Sequence, residues 1–176
     1  MEKLLRASFD SPIGRLEAVS SEKGLAYLQL PRANGRGFRG WKERHAGGSA
    51  VCDDTAANRE VIEQVMAFLG GELKEFDLPL DIRATDFQRE VYEHVAVIAY
   101  GETRSYGEVA QEVGRPKAVR AVGAANGANP VPLVVPCHRV IASGGGLQGY
   151  AGGLDMKKRL LAMEQNASSV QLGLLG

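Results

Sequence analysis

At 176 residues, 44% hydrophobic and 24% charged, the chain is long enough to bury one sizeable core or two small ones. No apolar run approaches the ~18 residues of a membrane-spanning helix, and Met1–Arg6 lacks the apolar stretch of an export signal, so neither a membrane protein nor an exported one is expected. Formal charge is zero, but residues 1–99 hold 13 Lys+Arg against 16 Asp+Glu while residues 100–176 hold 8 against 5, a small positive excess in the C-terminal part that suits phosphate contacts.

The first thirty residues alternate apolar and polar in short runs: Leu4–Phe9, Arg15–Val19 and Leu25–Leu30, separated by Ser11-Pro12-Ile13-Gly14 and Ser21-Glu22-Lys23-Gly24. This pattern predicts a three-stranded antiparallel meander. Residues 31–50, rich in Gly and Arg with Phe38 and Trp41 as the only large apolar groups, read as a long surface loop. Asp53-Asp54-Thr55 offers an N-cap for a helix with Val61, Ile62, Val65, Met66 and Leu69 on one face, stopped at Gly70-Gly71. Phe76–Leu80 reads as a strand returning to the sheet.

From about residue 82 the pattern turns helical. Thr85-x-x-Gln88 and Ser105-x-x-Glu108 are both capping-box patterns, the first opening a helix through Val91, Val95 and Ile98, the second a short helix ended at Gly114. After the turn Arg115-Pro116-Lys117, the run Ala118–Asn126 is a helix dense in Ala and Gly, so the pair has a helix-turn-helix outline. Asn129–Cys137 reads as an apolar strand stiffened by three prolines. A glycine-rich loop over 143–153 and a last helix over 154–164 follow, with a mobile tail from Asn166.

Two cysteines occur, Cys52 and Cys137, and the expected state is unbridged thiols in a reducing cytoplasm. Cys137 is the chemically suggestive one, because the neighbouring His138 and Arg139 would favour its thiolate. Two readings compete at this point. Cys137 is either a nucleophile or a small buried hydrophobe, and on a strand the side chains of Cys137 and His138 would point to opposite faces, so any pairing needs a bend or a bridging water. His45, Cys52 and Asp53 are too few for a zinc site, and the Gly144-Gly145-Gly146 run lacks the partners of a nucleotide-binding loop, so no metal and no cofactor are expected.

The segment Pro136-Cys137-His138-Arg139-Val140-Ile141 resembles the active-site signature of the O6-alkylguanine-DNA alkyltransferases (methylated-DNA–protein-cysteine methyltransferases). Similar to that family as well are Gly101–Tyr106, Pro116–Gly123, Asn129–Pro132, Gly149-Tyr150-x-Gly152-Gly153-Leu154 and Leu160–Glu164, in the same order, over roughly residues 84–166. The resemblance implies an α+β (α/β) chain: a small N-terminal antiparallel-sheet domain with a helix over 1–81, ribonuclease-H-like, then a mainly helical, winged-helix-like helix-turn-helix domain over 82–166, and a tail over 167–176.

It also implies repair of O6-alkylguanine, with O4-alkylthymine a further candidate lesion, by one irreversible transfer of the alkyl group to Cys137. His138 would take the thiol proton through a water, Glu164 would orient His138, and Asn129 would place the thiol. Tyr106 would support the everted nucleotide and protonate the leaving guanine, Arg120 would fill the gap in the duplex, and Ser143 would contact DNA. Val140, Gly149, Tyr150 and Ala151 would wall the guanine pocket, Ala151 standing where the family often has serine. The partner implied is double-stranded DNA bound through its minor groove by a cytoplasmic monomer. A non-covalent lesion-binding module is the alternative from another functional class.

Overall fold

The computed structural model describes residues 1–31, 37–146, 150 and 152–175, with the side chains of 167–175 left aside. Two compact units emerge: Met1–Arg83 with Pro130–Pro132, and Ala84–Asn129 with Leu133–Gly176.

The first unit is built on a four-stranded sheet in the order β3-β2-β1-β4. The meander expected from alternation is present as β1 (Lys3–Ser11), β2 (Gly14–Ser21) and β3 (Gly24–Gln29), paired antiparallel in sequence. Both faces of the sheet are covered: Ala7, Leu16 and Ala18 are buried on one face, and Leu4, Val19 and Ala26 on the other. Gly24 sits at φ +141° where a Cβ would lie 2.2 Å from the Pro79 carbonyl oxygen, so both backbone conformation and space require glycine there.

Three expectations for this unit are corrected. Residues 37–45 form helix α1 (Gly37–His45) rather than loop, with Trp41 buried against Leu4, Val19 and Ala26 and stacked at 5.9 Å on Phe38. Burying one indole offsets the weak helix preference of Gly37 and Gly40. A fourth strand, β4 (Ala50–Asp53), pairs parallel with β1, so Asp53 ends a strand instead of starting a cap; the Asp54 carboxylate accepts the Ala57 N–H at 3.0 Å and a 3-10 turn at Ala56–Asn58 leads into helix α2 (Arg59–Leu69). The buried face of α2 is Val61, Val65, Phe68 and Leu69, while Met66 is exposed. Lastly, Phe76–Leu80 contributes a single parallel bridge, Leu25 to Leu80, not a strand. Pro79 has no N–H to give a ladder, and the Gln64 side chain captures both the N–H and the carbonyl of Asp77 at 2.9 Å.

The second unit holds α3 (Asp86–Ala96), α4 (Tyr106–Glu112), α5 (Val119–Gly127) and α6 (Leu154–Leu175), with a two-stranded parallel pair, β5 (Arg104–Ser105) and β6 (Val140–Ile141). Both capping boxes form as the spacing predicts: Thr85 accepts the Gln88 N–H at 3.2 Å and Ser105 accepts that of Glu108 at 3.0 Å, each with the reciprocal bond. Helix α6 continues to Leu175, well past the residue 164 at which the periodic apolar face stops, so the segment expected to be a tail is helical. No helix among the described residues is long and apolar enough to cross a membrane.

Candidate active site

The prolines of residues 129–137 do not produce the expected strand. The chain makes a turn in which Leu133, fully buried, takes φ +73°, and then closes a 3-10 turn at Cys137–Arg139. An L residue in the left-handed region costs about 1 kcal/mol or more, offset here by the burial of the Leu133 side chain. This turn answers the objection raised by strand geometry, since successive residues of a 3-10 turn do not alternate between two faces. Cys137, His138 and Arg139 are all buried, at 3%, 0% and 5% exposure.

Two asparagines hold the turn. The Asn129 Nδ2–H donates to the Val135 carbonyl at 2.8 Å, and the same side chain hydrogen-bonds the Cys137 sulfur. On α5, the buried Asn126 donates from Nδ2 to the Cys137 carbonyl at 3.2 Å and also bonds the Tyr106 hydroxyl. Tyr106 is the first residue of α4, directly after the Ser105 cap, and Gly123 of α5 lies against its ring: a Cβ there would be 3.9 Å from Tyr106 Cδ1. Tyr92 of α3 donates its hydroxyl to the Ala125 carbonyl at 2.8 Å, tying α3 to the same part of α5.

The expected thiolate is not the resting form. Burial pushes the Cys137 thiol up to about 11, against the smaller opposing effects of the Asn129 hydrogen bond, the Lys157 charge and the backbone at Cys137 and His138. Arg139 does not spend its charge on the thiol, because its guanidinium grips Glu164 at 2.8–3.1 Å through Nε and Nη2 and gives Nη1 to the Ile98 carbonyl at 2.7 Å. His138 is not a cation either, since burial lowers its proton affinity more than Glu164 raises it.

Glu164 of α6 gathers the other donors. Its Oε1 lies 2.7 Å from His138 Nε2, and its Oε2 accepts the Gly101 N–H at 3.1 Å. These bonds hold its carboxyl at about 2 despite burial, so it is an acceptor only and Nε2 carries the hydrogen of a neutral His138 ring. Lys157, one of the most buried side chains of the chain, donates to the Val140 carbonyl at 2.7 Å and sits 5.8 Å from the Tyr106 ring centroid. Burial lowers the Lys157 ammonium and raises the Tyr106 phenol, which therefore keeps its proton.

Cys137, His138, Glu164, Asn129 and Tyr106 are thus brought together as the sequence reading expects. Val140 is buried beside them, and Tyr150 is buried close enough to feel the charge at Cys137. Gly149 and Ala151 lie outside the described residues. Ser143 is exposed with its hydroxyl near the start of α4, where a Cβ on Gly107 would meet it at 3.7 Å. Arg120 is exposed on the side of α5 opposite Val122, Ala125 and Asn126. Four residues of this cluster escape a reading of sequence alone: Asn126, Arg139 as a partner of Glu164, Lys157 and Tyr92. Lys157 carries a faint signal, a cation three residues before Leu160 on the apolar face of α6; the others carry none.

Comparison with known proteins extends the picture. Residues 86–166 match the family described as 6-O-methylguanine DNA methyltransferase, DNA binding domain. The chain is similar to the methylated-DNA–protein-cysteine methyltransferases of Mycobacterium tuberculosis H37Rv, at 50% identity over 95% of this chain and 96% of that one, and of Methanosarcina acetivorans, at 44% over 90% and 96%. Among solved structures it is similar to Mycobacterium tuberculosis OGT in complex with DNA, with 39% identity, a TM-score of 0.79 and 94% of each chain covered.

Proposed function

Because the chain belongs to the family of methylated-DNA–protein-cysteine methyltransferases, we propose that it repairs O6-alkylguanine in double-stranded DNA, with Cys137 as the one-time acceptor of the alkyl group. In this reading Cys137 Sγ displaces guanine O6 from the alkyl carbon: the S–C bond forms as the C–O6 bond breaks. The thiol proton passes through a water to His138, and Tyr106 delivers a proton to the departing guanine, both groups being restored by exchange with water. The net change is one thiol proton moved to guanine and one thioether left on the protein. A thioether is a poor leaving group, so each molecule acts once.

The observation that carries this reading is the buried Cys137 thiol set beside a neutral, carboxylate-oriented histidine and a protonated phenol. With the thiol at about 11 almost none of it is ionised at rest, which favours proton removal in step with bond formation. That couples reactivity to the arrival of a correctly placed lesion and spares the thiol from incidental oxidation. Glu164 orients His138, Asn129 places the sulfur, and Val140 and Tyr150 wall the base. The lesion reaches the thiol only when its nucleotide leaves the stack, with Arg120 filling the gap and Tyr106 and Ser143 contacting the strand from the minor groove. Small residues on the exposed side of α5, Ala121, Ala124 and Gly127, let its backbone approach the DNA. Acting as a monomer in the cytoplasm follows from the same reading.

Intact-mass measurement after incubation with an O6-methylguanine duplex tests it. One methyl per chain, located on Cys137 and absent in Cys137→Ala, is the expected result. Tight lesion binding without any gain in mass would overturn transfer in favour of a non-covalent binding module.

A further inference from the structure

The carboxylate beside a catalytic histidine ordinarily makes that histidine a stronger base, because a bare anion stabilises the imidazolium. In this protein the anion is not bare. The Arg139 guanidinium contacts both Glu164 oxygens, Nε at 2.9 and 3.1 Å and Nη2 at 2.8 Å, while His138 has one of them at 2.7 Å. Arg139 is itself fixed, through Nη1 on the Ile98 carbonyl at 2.7 Å and with its guanidinium carbon 5.6 Å from the centre of the Tyr100 ring. His138, Arg139 and Glu164 are all buried, where an uncompensated charge acts strongly.

We propose that Arg139 is a positioning residue for alkyl transfer, one that neutralises Glu164 so that the carboxylate orients His138 without making it hold a proton. This inference rests on the reading of His138 as the acceptor of the Cys137 proton. Its physical content is a division of labour in Glu164: the hydrogen bond to Nε2 sets ring orientation and tautomer, and the charge is consumed by Arg139. A histidine so placed is neutral and ready when the lesion arrives, and once protonated it gives the proton up again.

The charged and titratable groups facing His138 are Glu164 and Lys157 from α6, Arg139 and Cys137 from its own turn, and Tyr100 near Glu164 from the segment after α3. Lys157 opposes protonation of His138 alongside Arg139. Removing Arg139 alone leaves Glu164 as the dominant charge at the ring. Removing Arg139 and Glu164 together restores the parent's net charge around the ring, with Lys157 unchanged, which a merely structural role for Arg139 does not predict.

The experiment follows the imidazole signals of His138 by NMR across pH in the full chain, whose three histidines keep the spectrum simple. The single-turnover transfer rate to a methylated duplex is measured over the same range. In Arg139→Met the His138 midpoint is expected to rise by about one pH unit or more, roughly tenfold in proton affinity, and the acid limb of the rate profile to rise with it. In Arg139→Met/Glu164→Gln the midpoint is expected to return to within about half a unit of the parent. Should the single variant fail to fold, the double variant decides alone: a His138 midpoint well below the parent means that Glu164 was acting as a bare anion and overturns the proposal. An unmoved midpoint in a folded Arg139→Met overturns it as well. The histidine titration is read without any transfer, so failure of Cys137 to accept a methyl group would count against the functional reading and not against this one.

Discussion

At the scale of single residues, the site is governed by which charges are cancelled and which are left. Glu164 is held at about 2 in the folded chain against an ordinary value of 4.5, so its contribution to stability is present above that ordinary value and is lost as pH falls towards 2. His138 adds to the acid side of the profile. Its proton affinity is lowered by folding, so stability begins to fall once pH drops below the ordinary histidine value of 6.5. Thermal melting across pH should therefore show stability declining from just below neutrality and continuing through the carboxylate range; a flat profile between pH 7 and 4 would contradict the buried pair. Asn129 offers a second test. Its amide bonds both the sulfur and the Val135 carbonyl, so Asn129→Leu should slow transfer by about 10-fold or more while duplex binding persists, as read by single-turnover kinetics beside a binding titration. The residues alone made Cys137 a candidate, as a cysteine next to a histidine in a proline-rich segment, while the roles of His138 and Glu164 were legible only through the family resemblance. Adjacency misassigned the charge of the site, since it says nothing about burial or about which anion Arg139 meets.

Elements place these residues, and their ends matter more than their middles. Ser105 caps α4 and so determines where Tyr106, the first residue of that helix, stands. Ser105→Ala should cost about 1 kcal/mol, lowering Tm by several degrees, and should slow transfer beyond what the lost stability explains, because the phenol moves with the helix start. A melting curve together with a transfer rate at a temperature where the variant is fully folded separates the two effects. In the first unit, Gly24→Ala should be far more damaging, about 3 kcal/mol or more, since a Cβ would strike the Pro79 carbonyl and the backbone is in a region that alanine avoids. Both capping boxes were readable in advance because they are local: a hydroxyl and a carboxyl or amide three residues apart meet whenever a helix begins between them. Helix α1 and strand β4 were not, because each exists through partners far along the chain. Trp41 needs Leu4, Val19 and Ala26, and Ala50–Asp53 needs the open edge of β1.

For the whole molecule, the two units and the DNA partner set the remaining expectations. Affinity for duplex should fall as salt rises, but with a shallow slope, because the chain has no net charge and the positive excess of residues 100–176 is only three; a steep dependence would mean that many more phosphates are engaged than this reading allows. Arg120→Ala should slow repair in duplex more than it slows reaction with the isolated alkylguanine base, and equal losses on both would remove its role in filling the gap. By itself the sequence determined the antiparallel meander and the two capped helices and marked the family, with Cys137 as its candidate nucleophile, because periodicity, turn chemistry and short motifs are local properties of a chain. Only the tertiary structure decided that Cys137 rests as a buried thiol on a 3-10 turn, that Arg139 answers to Glu164, and that Asn126 and Lys157 join the site. Those outcomes depend on dehydration and on distances between residues as many as 63 positions apart, as Gly101 and Glu164 are, which no local pattern encodes.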